Sequence, residues 1–268
     1  MMTRRPLFLS IVIIQLPLLC VSTLARAQSD GSHLEGMWSD PPRTLADSQC
    51  YVYCTDAGLS RLEELLDDPA NDDRPLNELT RAAGGYQREQ YFRPRFTAAA
   101  LENYPRDPAD DPGFLYCEPW GFAKQIFSPH QLEIRHFDDR IEMRYGEWEA
   151  RRTVYLDGRA APDDYAPSLL GWSVGHYEGD TLVIETSSVR GNLTFMGIEH
   201  SDQLTAVERY TRPDDGQRLL LSATLDDPWG LKQPVVMKKV WSWAPEQEIS
   251  PYEDCKPPTE FSRREDRP

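Results

Sequence analysis

The chain has 268 residues, with 29 Lys and Arg against 44 Asp and Glu. Loss of an N-terminal export segment, residues 1–27, would remove Arg4, Arg5 and Arg26 and no acid, leaving 26 basic against 44 acidic side chains, a formal charge of −18. So acidic a chain excludes nucleic acid and anionic membranes as partners, since both reward clustered positive charge, and its roughly 240 remaining residues suffice for one large β domain or two small ones.

Residues 1–27 read as a cleavable signal peptide. Arg4 and Arg5 precede an apolar stretch over 7–24, and Ala25-Arg26-Ala27 places small residues where a signal peptidase inspects the chain. An anchoring helix would need about 20 unbroken apolar residues. Gln15 and Pro17 interrupt this one, so a periplasmic or secreted protein with no membrane span in the mature chain is expected. Removing Cys20 leaves Cys50, Cys54, Cys117 and Cys255. Disulfides suit an exported chain better than zinc, because Cys50 and Cys54 have no matching second pair. Four thiols allow three pairings; the reading adopted is Cys50 with Cys54 and Cys117 with Cys255.

Residues 28–110 are expected to hold a first strand and a helical cap. Gly36-Met37-Trp38 resembles the Gly-x-Trp that opens lipocalin-type barrels, where the Trp closes one end. Leu59, Leu62, Leu65 and Leu66 recur at helical spacing within 58–66. Further helices are expected over 76–91 and 97–103.

Residues 111–255 change texture to short alternating runs: 131–137, 140–145, 149–156, 171–177, 181–187, 203–212, 218–226 and 235–243. Asp138-Asp139, Asp157-Gly158, Glu178-Gly179-Asp180 and Asp214-Asp215-Gly216 separate several of them with hairpin chemistry. The expected fold is mainly β, an antiparallel meander closing into a lipocalin-like barrel. Residues 256–268 are expected to be disordered.

The stretches 151–159 and 171–186, the latter spelling Gly-Trp-Ser-Val-Gly-His-Tyr-Glu-Gly-Asp-Thr-Leu-Val-Ile-Glu-Thr, with His200-Ser201-Asp202 and Glu208-Arg209, resemble a family of exported bacterial proteins. The resemblance implies export and a β-rich fold and carries no reaction with it. The family's usual aromatic before Glu-Gly-Asp is Trp; this chain has Tyr177.

Alternation along a strand sorts side chains onto two faces. Glu208 shares a row with Leu204, Ala206 and Tyr210; Arg152 with Ala150 and Val154; His136 with Leu132 and Ile134; His176 with Trp172 and Val174; Lys239 with Met237 and Trp241. Five ionisable groups are thus expected inside, where an unpaired charge is costly; Glu208 with Arg152 is the simplest pair. Arg152, Trp172, His136, Lys239 and Trp241 would line a pocket for a small, partly apolar organic ligand. An enzyme would use Glu208 and His176 there as general base and acid for hydrolysis, lyase or isomerase chemistry, and a scaffold would have no pocket.

Other constellations carry less. Gly171-Trp172-Ser173-Val174-Gly175 spells a nucleophile elbow but runs on into a strand where an elbow needs a helix. His200-Ser201-Asp202 has the residue types of a triad, but adjacent residues cannot form its relay. His176, Glu178, Asp180 and His200 match no metal spacing. No Gly-rich loop opens a helix, so no metal and no cofactor are expected.

Overall fold

The computed structural model describes residues 32–39, 56–83, 92–104, 111–194, 197–213 and 216–249. The signal segment, Cys50, Cys54, Cys255, the continuation of the second helix to residue 91 and the tail lie outside these.

Nine strands close a barrel in the order β1, β11, β10, β9, β6, β5, β4, β3, β2. They are β1 (Gly36–Ser39), β2 (Leu132–His136), β3 (Arg140–Tyr145), β4 (Arg151–Tyr155), β5 (Trp172–Glu178), β6 (Thr181–Ser187), β9 (Thr205–Thr211), β10 (Arg218–Asp226) and β11 (Val235–Trp243), while β7 (Asn192–Leu193) and β8 (Glu199–His200) pair as a separate hairpin. All eight runs of alternation become strands of the barrel. The ninth, β1, carries the Gly-x-Trp: it pairs with β11 on one side and β2 on the other and so seals the seam. Gly36 is required there, since its φ is +130° and a Cβ would lie 2.3 Å from the Trp243 ring. Trp38 is fully buried and donates Nε1–H to the Leu34 carbonyl at 3.0 Å. The Arg212 guanidinium lies 5.0 Å from its ring centroid and 4.6 Å from that of Trp243.

The meander is not wholly antiparallel. β4 and β5 run parallel, so Asp157-Gly158 opens a crossover along the outer wall and not a hairpin. Trp172 pins that crossover by stacking on Tyr155 at 4.6 Å, meeting Tyr165 edge-on at 5.2 Å and donating to the Arg159 carbonyl at 3.2 Å. The hairpin between β5 and β6 is as expected, with Gly179 at φ +63°.

The helical residues divide into two groups. α1 (Asp56–Asp67) and α2 (Leu76–Ala83) pack on each other around Leu62 and Leu79, in a cluster separate from the barrel core. Residues 97–103 form successive turns in place of the expected third helix. Segment 92–104 covers one barrel end and buries Phe92, Phe96 and Ala100 in the main core, joined by Phe122, Ala123 and Ile126 from α4 (Phe122–Gln125) and the residue after it. Before that, α3 (Pro112–Tyr116) ends at Cys117, which has a left-handed conformation and is disulfide-bonded.

Candidate functional site

Three features fix what the barrel can do: a polar network across its middle, a histidine-bearing pocket at the covered end, and imidazoles at the opposite end.

The network centres on Arg152 and Glu208, whose side chains are 1% and 0% exposed. Arg152 Nη1 donates to Glu208 Oε2 at 2.9 Å and Nη2 to Oε1 at 2.6 Å, a two-pronged pair. Nε donates to Ser173 Oγ at 2.8 Å, and Nη2 also reaches Thr186 Oγ1. The Tyr210 hydroxyl donates to Glu208 Oε2 at 2.9 Å. Phe122 faces the guanidinium at 5.0 Å and Trp241 stacks on Tyr210 at 6.4 Å. Burial alone would lower the Arg152 pKa, but the Glu208 carboxylate outweighs it and the net shift is upward. Burial first, then the Glu208 charge, pushes the Tyr210 phenol well above its usual range. The guanidinium therefore stays charged at neutral pH, and the hydrogen-bonding groups around the pair are used internally.

The expected inward positions of Arg152, Glu208, His136, Lys239 and Trp241 hold. Lys239 is buried, with its ammonium 4.6 Å from the Trp241 centroid and bonded to the Ser128 carbonyl. Trp241 is 1% exposed and donates to the His130 carbonyl at 3.3 Å. His136 closes the other end of its row: its backbone N–H donates to Glu35 at 3.3 Å and its ring meets Tyr177 at 5.9 Å, with His33 on the same phenol at 6.2 Å.

β5 reverses the expectation. Ser173 and Gly175 face inward, while Trp172, Val174 and His176 face outward. Two contacts require it. Ser173 supplies an acceptor to Arg152, and a Cβ at position 175 would stand 2.8 Å from Val154 Cγ1, so only the Gly lets β4 and β5 close on each other. The outer row begins apolar, with Trp172 and Val174, because Trp172 carries the crossover. Trp172 is therefore not a pocket residue, and His176 is exposed with Nε2 3.3 Å from Glu178 Oε1. The sheet separates His176 from Glu208, so the acid and base pair is not formed. Among the described residues no cluster of three or more His, Cys, Asp or Glu is placed to hold a metal, and no helix is long and apolar enough to cross a membrane.

The pocket lies at the covered end, where β7 and β8 interrupt the barrel sequence. Phe92, Phe96, Leu204, Leu225, Leu231 and Met237 line it with Thr194, Glu199, His200 and Asp227. Its enclosed volume is about 10 Å³, room for about one water. His200 is 5% exposed; Nδ1 lies 2.9 Å from the Ser201 carbonyl, which makes Nδ1 the protonated nitrogen, and Nε2 is buried with no hydrogen-bond partner among the described residues. Burial lowers the His200 pKa, against smaller upward effects of the Ser201 bond and the Asp227 charge. Ser201 Oγ donates to Asp227 Oδ1 at 2.6 Å and not to an imidazole, so the triad-like spelling is a loop clamp. Strand alternation could not find this residue, because it sits on a two-residue strand whose row is too short to read.

The fold and site together define a closed, mixed β-barrel with a saturated ion pair at its centre and an apolar, histidine-tipped pocket at one end. No family model and no curated protein matches the chain. Among solved structures it is similar to the crystal structure of a mutant of the fluorescent protein UnaG, at 18% identity and a TM-score of 0.27, over 42% of this chain and 70% of that one.

Proposed function

We propose that the protein is exported, loses residues 1–27, and works in the periplasm or outside the cell as a barrel that binds a small, partly apolar organic molecule at its covered end. The observation that carries this reading is the apolar pocket beneath Phe92 and Phe96 with one buried imidazole at its wall. The signal-like N-terminus and the resemblance of 151–159 and 171–186 to exported proteins support the location. The cover is held by Thr97 N to Gly230 O at 2.9 Å, Thr97 Oγ1 to Trp229 O at 2.9 Å, Lys232 N to Arg95 O at 2.7 Å, Lys232 Nζ to Pro94 O at 3.3 Å and Asn103 Nδ2 to Glu199 Oε1 at 3.0 Å. These are a few bonds that a ligand could open to enlarge the space.

Native mass spectrometry of the mature chain from its own compartment, followed by solvent extraction, tests the reading. A co-purifying small molecule lost when Phe96→Asp is introduced supports it; a ligand-free mass in every preparation sinks it. The second reading, an envelope scaffold, is favoured by the filled barrel centre, where Tyr145, Tyr210, Trp241 and Phe122 surround the ion pair. It gains if the mature chain is ligand-free and is pulled down with an envelope protein.

A further inference from the structure

The wall of the pocket at the covered end includes His200, whose Nε2 is buried with no hydrogen-bond partner among the described residues, and that nitrogen selects a class of ligand. His200 Nδ1 is committed to the Ser201 carbonyl at 2.9 Å, so the neutral ring presents a lone pair, not a proton, at Nε2. That lone pair is buried without a partner, and a buried acceptor left unmade costs more than an ordinary hydrogen bond returns. Each of the other polar side chains of the wall holds at least one internal hydrogen bond. Asp227 accepts from Ser201 N at 2.8 Å, Ser201 Oγ at 2.6 Å and Trp229 N at 3.2 Å, Glu199 accepts from Asn103, and Thr194 Oγ1 accepts from Ile198 N at 3.3 Å.

We propose that His200 Nε2 is the anchor of this pocket and that its ligand is a neutral, mainly apolar molecule carrying one hydrogen-bond donor, a phenol or a small alcohol. The inference rests on the ligand-binding reading above. An anion is disfavoured because, among the described residues, the wall holds the carboxylates of Glu199 and Asp227 and no Lys or Arg. An ammonium is disfavoured because the remaining wall is apolar and the Asp227 oxygens are already bonded. The enclosed volume of about 10 Å³ fits a donor the size of water; a ring enters when the Phe92 and Phe96 side chains turn aside with the 92–104 cover.

Phenol and toluene have nearly the same shape and differ in the donor, so their affinity ratio isolates the bond to Nε2. Binding of both to the full mature protein, measured by calorimetry, should show the phenol-to-toluene affinity ratio falling about fivefold to tenfold in His200→Leu, the worth of one neutral hydrogen bond. His200→Gln, which returns an acceptor near the same point, should retain the ratio. The Nε2 resonance of ¹⁵N-labelled histidine should move on adding phenol and stay on adding toluene. If both probes bind and His200→Leu leaves their ratio unchanged, the anchor is wrong and the ligand-binding reading stands. Tighter binding of benzoate or benzylammonium than of phenol also overturns the assignment. If neither probe binds but a ligand still co-purifies, the inference fails alone; if neither binds and nothing co-purifies, the ligand-binding reading fails with it.

Discussion

Replacing Arg152 by Met strands the Glu208 carboxylate in the barrel centre. Glu208 would lose both guanidinium bonds, at 2.6 and 2.9 Å, and keep those from Tyr210 and Thr186, at 2.9 and 3.3 Å, as its remaining support. Breaking one side of a buried ion pair typically costs ~3–5 kcal/mol. For a chain of this size each kcal/mol shifts the melting temperature by about 2–4 °C, so a drop of about 6–20 °C is expected. Glu208→Leu should cost a similar amount by stranding the guanidinium. The double variant removes both charges, leaves the Ser173 and Thr186 hydroxyls 3.1 Å apart to bond each other, and fills the space with apolar atoms. It should be more stable than either single variant, with a coupling of at least about 2 kcal/mol. Urea titrations of the four proteins give the cycle. A double variant whose loss equals the sum of the single losses would refute the claim that the two charges are held as one unit.

Other perturbations probe other parts of the fold. Gly36→Ala should destabilise by ~1–3 kcal/mol, because the positive φ and the Trp243 ring both exclude a Cβ; an unchanged urea midpoint would contradict the sealed seam. Trp172→Ala should speed amide exchange across residues 159–171 and leave the barrel midpoint nearly unchanged, and protection as strong as in the parent would show that the ring does not hold the crossover. Since burial lowers the His200 pKa, its contribution to stability is fully present above the ordinary histidine value of about 6.5 and is lost as pH falls from there towards the folded value. Between pH 7.5 and 5.0 the parent should therefore lose more stability than His200→Leu, whereas equal losses would show that this imidazole is not buried neutral. Peptide mapping without reductant should join Cys117 to Cys255; a Cys117 peptide linked to Cys50 or Cys54 would overturn that proposed pairing.

The barrel was legible because its interior rows are long. Burial alternates without a break over 218–226 and over 205–211, and the inward rows, Leu219, Leu221, Ala223 and Leu225 on one strand and Ala206 and Tyr210 around Glu208 on the other, are long enough to show it. Such rows declare their face, and a one-residue error would invert every side chain. The row at 172–178 misled for a physical reason. Its outer side begins with Trp172 and Val174, where Trp172 meets the crossover, while its inner side must admit the Arg152 head and the Val154 methyls and there is Ser and Gly. Hydrophobicity reports burial, and a strand covered on both sides gives it on both faces. The same crossover makes β4 and β5 parallel, and Asp-Gly at 157–158 spells only the local turn, not where the chain goes after it.

The ionisable groups illustrate a different limit. Alternation placed Arg152 and Glu208 on inward rows, and the cost of an unpaired charge then joined them across 56 residues of sequence. That inference ran from burial to partnership and succeeded. The step from partnership to chemistry did not follow, because a carboxylate held by a guanidinium, a threonine and a tyrosine has no free lone pair facing solvent to take a proton from a substrate. The group proposed to meet a ligand is one of several buried polar groups that lack a hydrogen-bond partner among the described residues, and the one at the wall of the covered-end pocket. That group is His200, fixed by a backbone carbonyl on a strand of two residues, where periodicity cannot mark it and the His-Ser-Asp spelling points to a triad that is not formed. Polarity at the centre thus holds the barrel together, and polarity at the covered end is where selectivity can arise.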